Sequence, residues 1–162
     1  IKTTKDIYKD IDIVIEKALR VKKDVVEKDP HEKHLRKILN FGHTIGHAIE
    51  GVSLINDKDP LLHGEAIAIG MICEAWLSVK YTGLTEVELE DITSTFLNIY
   101  PVYPYITAHY PAFMELMKND KKNENSKIGF ALLNRIGDCT YNIYVSEEDI
   151  CGALDYYRSL IN

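Results

Sequence analysis

The chain has 162 residues, of which 46% are hydrophobic and 27% are charged, and its formal net charge at pH 7 is -6. This composition is that of an ordinary globular domain, and the negative charge argues against a general nucleic-acid-binding surface. The longest apolar run, residues 66–73, is far too short to span a bilayer, and the opening segment lacks the apolar core of a signal peptide. A soluble cytoplasmic protein without a membrane partner is therefore expected.

Three cysteines, Cys73, Cys139 and Cys151, form no C-x-x-C pair and do not cluster with the histidines. An odd number of unpaired cysteines is typical of reduced thiols in a cytosolic protein. We expect all three to be packing residues.

Apolar residues recur at helical intervals near the start of the chain. Over residues 4–28 their spacing predicts a long amphipathic helix. The segment DPHE then offers Asp29 as an N-cap, Pro30 at the first helical position and Glu32 at the third. A second helix is therefore predicted to run through about Glu50.

Four more helices are predicted, separated by turn-forming segments. They span about residues 62–81, 85–99, 112–118 and 146–161. Thr85 with Glu88 supplies a capping box for the second of them. Ser146 with Asp149 supplies a cap for the last. Residues 51–60 are expected to form a loop.

Two strand-like runs, KIGFALL and CTYNIYV, are joined by the turn-like segment NRIG and predict a β-hairpin. The fold class expected is therefore mainly α, a helical bundle-like single domain over residues 1–162 with one small β-hairpin.

Three histidines have a spacing that suits a metal site. His43 and His47 stand four residues apart and project from one helix face, and His63 opens the next predicted helix. If those two helices pack antiparallel, the three imidazoles converge. Catalytic zinc sites use three protein ligands and an open position. The pattern is not the H-E-x-x-H of zinc peptidases, because Thr44 stands where the catalytic glutamate would be.

Two glycines, Gly42 and Gly46, accompany these histidines in what looks like a helix. Glycine inside a helix costs about 1 kcal/mol relative to alanine, so another backbone or a ligand is expected to come close to them. The alternative is that the glycines only permit tight helix packing and that the histidines are partly exposed. Spacing does not separate the two interpretations.

Basic residues lie near the histidines in sequence. Arg36 precedes His43 by seven residues and is expected to share its helix face, and Lys22 and the pair Lys121 and Lys122 lie further away. Arginine offers a fork for carboxylate or phosphate, and lysine a movable charge. The alternative for each is an ordinary solvated surface position.

The segments RKILNFGHTIGHAIE and LLHGEAIAIGM together resemble 3-dehydroquinate synthase, the cyclase family of the shikimate pathway of aromatic amino acid biosynthesis. RVKKDVVEKD upstream and NDKKN downstream fit the same family in the same order, so the resemblance covers about residues 17–137. The family implies a phosphate-eliminating lyase with an N-terminal NAD-binding α/β domain and a helical domain for metal and substrate. Only the second is expected here, because no glycine-rich dinucleotide motif is present.

The resemblance implies that His43 and His63 bind Zn²⁺ or Co²⁺. The family's third ligand is an upstream glutamate with no counterpart in this chain, and Glu65 is expected to cap a helix or lie behind the ligands instead. The resemblance also implies roles toward the substrate. His47 would transfer a proton, Asn40 would bind a hydroxyl, and Arg36 and Lys22 would bind a carboxylate. Lys121 or Lys122 would make a further contact with the substrate.

The reaction that the family implies starts from a sugar phosphate, 3-deoxy-D-arabino-heptulosonate 7-phosphate. Zinc holds two hydroxyls, NAD removes a hydride, phosphate leaves, the hydride returns, and ring opening with aldol closure gives 3-dehydroquinate. The 162-residue chain alone is expected to be inactive and to bind zinc weakly. A homodimer is an expectation for the full-length enzyme only.

Two alternatives remain open from the sequence. The first is a related sugar-phosphate cyclase such as 2-deoxy-scyllo-inosose synthase, whose substrates lack the carboxylate that Lys22 and Arg36 would bind. The second is a non-catalytic helical module with structural histidines.

Overall fold

A computed structural model describes residues 10–105, 107–119 and 128–161. The chain divides into two compact units, one up to residue 39 and one from residue 40 onward. The described part contains six α-helices, two short 3₁₀ helices and one two-stranded sheet. This mainly helical architecture with a single hairpin confirms the predicted fold class. No helix among the described residues combines the length and apolar character needed to cross a membrane.

The described part of the first unit contains helix α1, Ile11–Lys28. It confirms the predicted amphipathic helix, whose residues 4–9 lie outside the described part. Asp12 stands in the first turn and Lys28 in the last, where their charges favour the helix dipole.

The second helix predicted from the sequence is wrong in its bounds. A 3₁₀ helix, Leu35–Asn40, comes first, and helix α2 begins only at His43 and runs to Asn56. Asp29 does not cap an α-helix, because its carboxylate accepts backbone N–H groups as far along the chain as Arg36, at 3.1 Å. Glu32 has a φ of 53°, which is not helical.

The break before α2 lies at Gly42, which has a φ of 82° and occupies the N-cap position. Only glycine adopts this left-handed conformation without strain, so Gly42 separates the two helices instead of lying inside one. Arg36 therefore does not belong to the helix of His43, and the predicted common face is wrong. At the other end, α2 continues through half of the predicted loop because Val52 and Ser53 are buried against the core.

The second unit is built around helix α3, His63–Tyr81, whose start and end confirm the prediction. Helix α4, Glu86–Ile99, begins with the predicted capping box, in which Thr85 Oγ1 accepts the Glu88 N–H. A second 3₁₀ helix, Thr107–His109, leads into helix α5, Tyr110–Asn119, which is longer than predicted.

Strands β1, Gly129–Arg135, and β2, Asp138–Tyr144, pair antiparallel and confirm the predicted hairpin. The hairpin is attached to α3 by polar contacts: the Leu133 N–H donates to Ser78 Oγ at 2.9 Å, and Thr82 Oγ1 donates to the Leu133 carbonyl at 2.5 Å.

Helix α6, Glu147–Ser159, completes the fold after the predicted Ser146 cap. The core lies where α3 packs against α2, α4, α6 and β1, and where α2 packs against α5. Its largest fully buried side chains are Tyr157, Phe113, Phe130, Ile45, Ile49, Ile72, Leu77, Leu84, Met117, Leu132, Ile150 and Leu154. The sheet therefore closes one side of a helical core.

All three cysteines are free thiols. Cys73 is fully buried, and burial is the main cause that raises the pKa of the half-buried Cys139 to about 12. A thiol with so high a pKa is not a nucleophile at neutral pH. Cys73 belongs to the hydrophobic core and Cys151 packs against it, which supports the packing interpretation for these two residues.

The start of α6 is held by Asp149, whose carboxylate accepts hydrogen bonds from Lys80 Nζ at 2.5 Å, the Tyr81 hydroxyl at 2.5 Å and the Ser146 hydroxyl at 2.9 Å. These bonds, that of Lys80 foremost, lower the pKa of Asp149 from 3.8 to about 2. A carboxylate whose pKa is lowered on folding stabilises the fold above its ordinary pKa, and this contribution is lost as the pH falls through the folded value.

We therefore expect Asp149→Asn to destabilise the protein at pH 7 and the deficit to shrink as the pH falls from about 4 to about 2. Urea unfolding of both proteins across this range measures the difference. Asp91→Asn, at an exposed position on α4, is the control and should show no such convergence. A deficit that stays constant from pH 7 to pH 2 would show that the ionised carboxylate of Asp149 is not what stabilises α6.

Candidate metal centre

Three imidazoles from two helices meet at one place in the second unit. His43 is the first residue of α2, His47 lies one turn later, and His63 is the first residue of α3. The ring centroids lie 5.3 Å apart for His43 and His47, 5.9 Å for His43 and His63, and 5.7 Å for His47 and His63. One ring nitrogen from each lies within 4.8 Å of the other two. The predicted convergence of the three histidines is thus confirmed.

Close contact between the backbones of α2 and α3 brings these rings together. Gly42 and Gly46 on one side face Gly70 on the other: a Cβ on Gly70 would lie 2.6 Å from the Gly46 nitrogen, and one on Gly46 would lie 3.0 Å from the Ala66 carbonyl oxygen. Real Cβ atoms essentially never come as close to another atom as the first distance, and the second is tighter than most real Cβ contacts. The glycines therefore allow helix–helix contact, which is one of the two roles expected for them.

The N-terminus of α2 is capped from the neighbouring helix by Glu74. This residue is fully buried on α3, and its carboxylate accepts the Gly42 N–H at 2.6 Å and the Ile45 N–H at 3.1 Å. The first N–H groups of a helix lack partners within it and favour a negative charge. Glu74 thus fixes the turn that carries His43.

The role of Glu74 was not predicted from the sequence. The signal available was a single acidic residue within the apolar run IAIGMICEAWL. A glutamate is rarely fully buried unless it has partners, so its position already indicated a structural role.

The loop that leads to His63 is held by Asp57. Its Oδ2 accepts hydrogen bonds from the Ser53 hydroxyl and the Tyr103 hydroxyl, each at 2.6 Å. These bonds, with that of Ser53 the stronger influence, lower the pKa of Asp57. The Leu61 N–H donates in turn to Ser53 Oγ at 2.9 Å, so the chain entering α3 is anchored to the end of α2.

The Nδ1 atoms of His43 and His63 each lie within hydrogen-bonding distance of an oxygen. The Nδ1 of His43 lies 3.1 Å from the Phe41 carbonyl oxygen, and the Nδ1 of His63 lies 3.1 Å from Glu50 Oε2. Carbonyl and carboxylate oxygens are the usual acceptors for the second nitrogen of a metal-binding histidine. With a proton on Nδ1, each ring presents the lone pair of Nε2. This donor set fits a divalent cation such as Zn²⁺ or Co²⁺.

His47 also borders a cavity of about 340 Å³ between α2 and α5. The cavity is lined by Thr44, His47, Ala48, Leu116, Met117 and Asn119. The polar side chains of Thr44 and His47 on α2 and of Asn119 on α5 thus share the cavity with the apolar side chains of Leu116 and Met117. A small polar molecule bound there would lie within reach of the histidine cluster.

The other residues predicted for the site do not belong to α2 or α3. Asn40 ends the first 3₁₀ helix, two residues before the cap of α2, and is half-buried. Lys22 is exposed on α1, and Arg36 lies in the 3₁₀ helix of the first unit, where its Nη1 donates to the Pro30 carbonyl at 3.0 Å. Lys121 and Lys122 lie outside the described residues.

Glu65 is confirmed as a helix-capping residue. Its Oε2 accepts the Leu62 N–H at 2.8 Å at the start of α3. Among the described residues, the group that can hold a metal consists of the three histidines and does not include Glu65.

Residues 2–123 match the family model described as 3-dehydroquinate synthase C-terminal. The 3-dehydroquinate synthase of Parabacteroides distasonis is 40% identical over 151 residues, which are 93% of this chain and 42% of that protein. The enzyme of Thermodesulfovibrio yellowstonii is 40% identical over 154 residues, again 93% and 42%. The chain therefore spans about two fifths of the length of these curated relatives.

Two solved structures share the fold. A 2-deoxy-scyllo-inosose synthase complexed with carbaglucose-6-phosphate, NAD⁺ and Co²⁺ has a TM-score of 0.73 and 25% identity, covering 93% of this chain and 41% of that chain. A 2-epi-5-epi-valiolone synthase from Streptomyces hygroscopicus, with NAD⁺ and Zn²⁺ bound, has a TM-score of 0.73 and 24% identity, covering 91% and 40%. The cofactors implied by the sequence resemblance are those found in these two structures.

Proposed function

The chain belongs to the 3-dehydroquinate synthase C-terminal family, and we propose that it is the metal- and substrate-binding part of an enzyme that converts 3-deoxy-D-arabino-heptulosonate 7-phosphate to 3-dehydroquinate and phosphate. The observation that carries this proposal is the convergence of His43, His47 and His63, with one ring nitrogen of each within 4.8 Å of the others. The name of the relatives that are 40% identical supports the same substrate.

His43 and His63 are the residues assigned to the metal. Each has an oxygen 3.1 Å from Nδ1, so that a ring with its proton on Nδ1 would offer the Nε2 lone pair to a metal. A bound divalent cation would polarise a substrate hydroxyl and lower its pKa. Each of these rings stands on the first residue of a helix. Glu74 fixes the backbone at the start of α2, and the hydrogen bond from the Leu61 N–H to Ser53 Oγ anchors the chain that enters α3.

His47 is assigned to proton transfer. Its side chain is exposed and borders the cavity next to the cluster, so a substrate in that cavity can reach a ring nitrogen. Imidazole changes its charge near neutral pH, which suits it to accept and return a proton during turnover.

Substrate anchoring is assigned to Asn40, Arg36 and Lys22, with Lys121 or Lys122 as a further contact. A guanidinium has five N–H donors; in Arg36, Nη1 donates to the Pro30 carbonyl and Nε lies 3.9 Å from Glu32 Oε2. Its planar fork suits the carboxylate of the heptulosonate. The chain has no glycine-rich motif for a dinucleotide, so no residue described here is assigned to NAD.

The test is phosphate release by the complete polypeptide that carries this chain, with Zn²⁺ and NAD⁺ present. We expect release from 3-deoxy-D-arabino-heptulosonate 7-phosphate, none from glucose 6-phosphate, and none from either substrate with the 162-residue chain alone. The complete His63→Ala polypeptide is the control for contaminating phosphatases. Release from glucose 6-phosphate only would replace this assignment with a related sugar-phosphate cyclase, and no release from either would remove it.

A further inference from the structure

A carboxylate on α2 contacts the metal-site histidine of α3. Glu50 lies seven residues after His43 and three after His47, so it shares their helix face. Its Oε2 lies 3.1 Å from Nδ1 of His63, thirteen residues later in the chain. The face of α2 that carries two histidines therefore also holds the ring of the third.

His63 depends on such a contact more than a buried histidine would. Its side chain is 57% exposed and stands at the first position of α3, so packing does little to fix the ring, whereas Glu50 is only 23% exposed. A hydrogen bond from Nδ1–H to a carboxylate selects the tautomer in which Nε2 carries the lone pair. We propose that Glu50 is a positioning residue that orients His63 and selects its metal-binding tautomer.

Two other roles for Glu50 are less well supported. It is not among the residues whose ligand atoms converge, since within the described residues that group contains His43, His47 and His63. An exposed ion pair with a protonated His63 would contribute little, because water and salt screen such pairs. If Glu50 positions His63, replacing Glu50 should change the Zn²⁺ affinity only while the His63 ring is present.

The experiment is a double-mutant cycle on Zn²⁺ affinity in the complete polypeptide, measured by competition with a chelator. We expect Glu50→Ala to weaken Zn²⁺ binding by about 10- to 100-fold. Glu50→Gln should lose less, because its amide oxygen still accepts a hydrogen bond. In a His63→Ala background the Glu50→Ala change should weaken binding by no more than about twofold, because the ring that Glu50 orients is gone.

A second measurement reports the tautomer directly. In the metal-free protein, ¹⁵N NMR of the His63 ring should show the proton mainly on Nδ1 in the wild type and a shift toward Nε2 in Glu50→Ala. Glu90→Ala, at an exposed position on α4, changes the net charge equally and should alter neither affinity nor tautomer. This control separates a general charge effect from the contact with His63.

Equal loss of affinity from Glu50→Ala in both backgrounds, or an unchanged tautomer, would overturn the inference. It rests on the metal site of the proposed function but not on the substrate. If Zn²⁺ affinity depends on Glu50 through His63 while no phosphate is released from the heptulosonate, the inference stands and the proposed function fails. If the wild type binds no Zn²⁺, both fail.

Discussion

Replacing His43 with alanine is expected to lower the Zn²⁺ affinity of the complete protein by more than about 100-fold and to abolish turnover. The estimate follows because loss of a partner behind the ligands already costs about 10- to 100-fold, and loss of a ligand costs more. His43 is fixed by two contacts, since the Phe41 carbonyl lies against its ring and Glu74 holds its helix turn. Chelator competition and metal analysis of the purified protein measure the effect.

The control is His31→Ala, which removes an exposed histidine of the first unit. It should leave Zn²⁺ affinity unchanged. If His43→Ala binds Zn²⁺ as tightly as the wild type, the histidine cluster is not the metal centre and the non-catalytic helical module becomes the better interpretation.

His47 distinguishes two arrangements of the same cluster. In the proton-transfer role, His47→Ala should keep Zn²⁺ affinity within about tenfold of the wild type while phosphate release falls by about 100-fold or more. If His47 is instead a third ligand, His47→Ala should lower the Zn²⁺ affinity as much as His43→Ala does in the same chelator titration. The geometry places all three rings at similar separations, so this comparison decides their roles.

Most helix starts were predictable because their signals are local. Thr85 with Glu88 and Ser146 with Asp149 lie within four residues of each other, and each pair forms the predicted contact. The hairpin was predictable for the same reason, since Gly137 adopts a φ of 88° at its turn. Such elements need no information from distant parts of the chain.

The region before the histidines was not predictable from local pattern. Asp29, Pro30 and Glu32 form a favourable helix-start sequence, yet the Asp29 carboxylate binds N–H groups at Lys33, His34 and Arg36 and closes a loop instead. The break at Gly42 is stabilised by a carboxylate 32 residues away, that of Glu74. Contacts over that distance leave no periodic signal.

The candidate site divides in the same way. Spacing of His43, His47 and the start of α3 at His63 was enough to predict their convergence. The groups that orient the rings were not predicted, because Phe41 contributes a backbone carbonyl and Glu50 acts across two helices. Residue types that bind metal are visible in a sequence, whereas the partners that aim them depend on packing.

Gly70→Ala is expected to be the most destabilising small substitution in the second unit. Its Cβ would lie 2.6 Å from the Gly46 nitrogen and 2.9 Å from the Gly42 carbonyl carbon. These are backbone atoms of the first turn of α2 and cannot rotate away, so α2 must move off α3. We expect a loss of about 3 kcal/mol in unfolding free energy, or about 10 °C in Tm, measured by thermal unfolding of the complete protein.

Gly64→Ala is the matched control, because it makes the same change in the same helix. A Cβ on Gly64 meets nothing within 4 Å, so Tm should stay the same or rise slightly through better helix propensity. Movement of α2 would also carry His43 away from His63, so Gly70→Ala should weaken Zn²⁺ binding in proportion to its destabilisation. An unchanged Tm for Gly70→Ala would contradict the close helix contact and, with it, the geometric basis for placing the three imidazoles together.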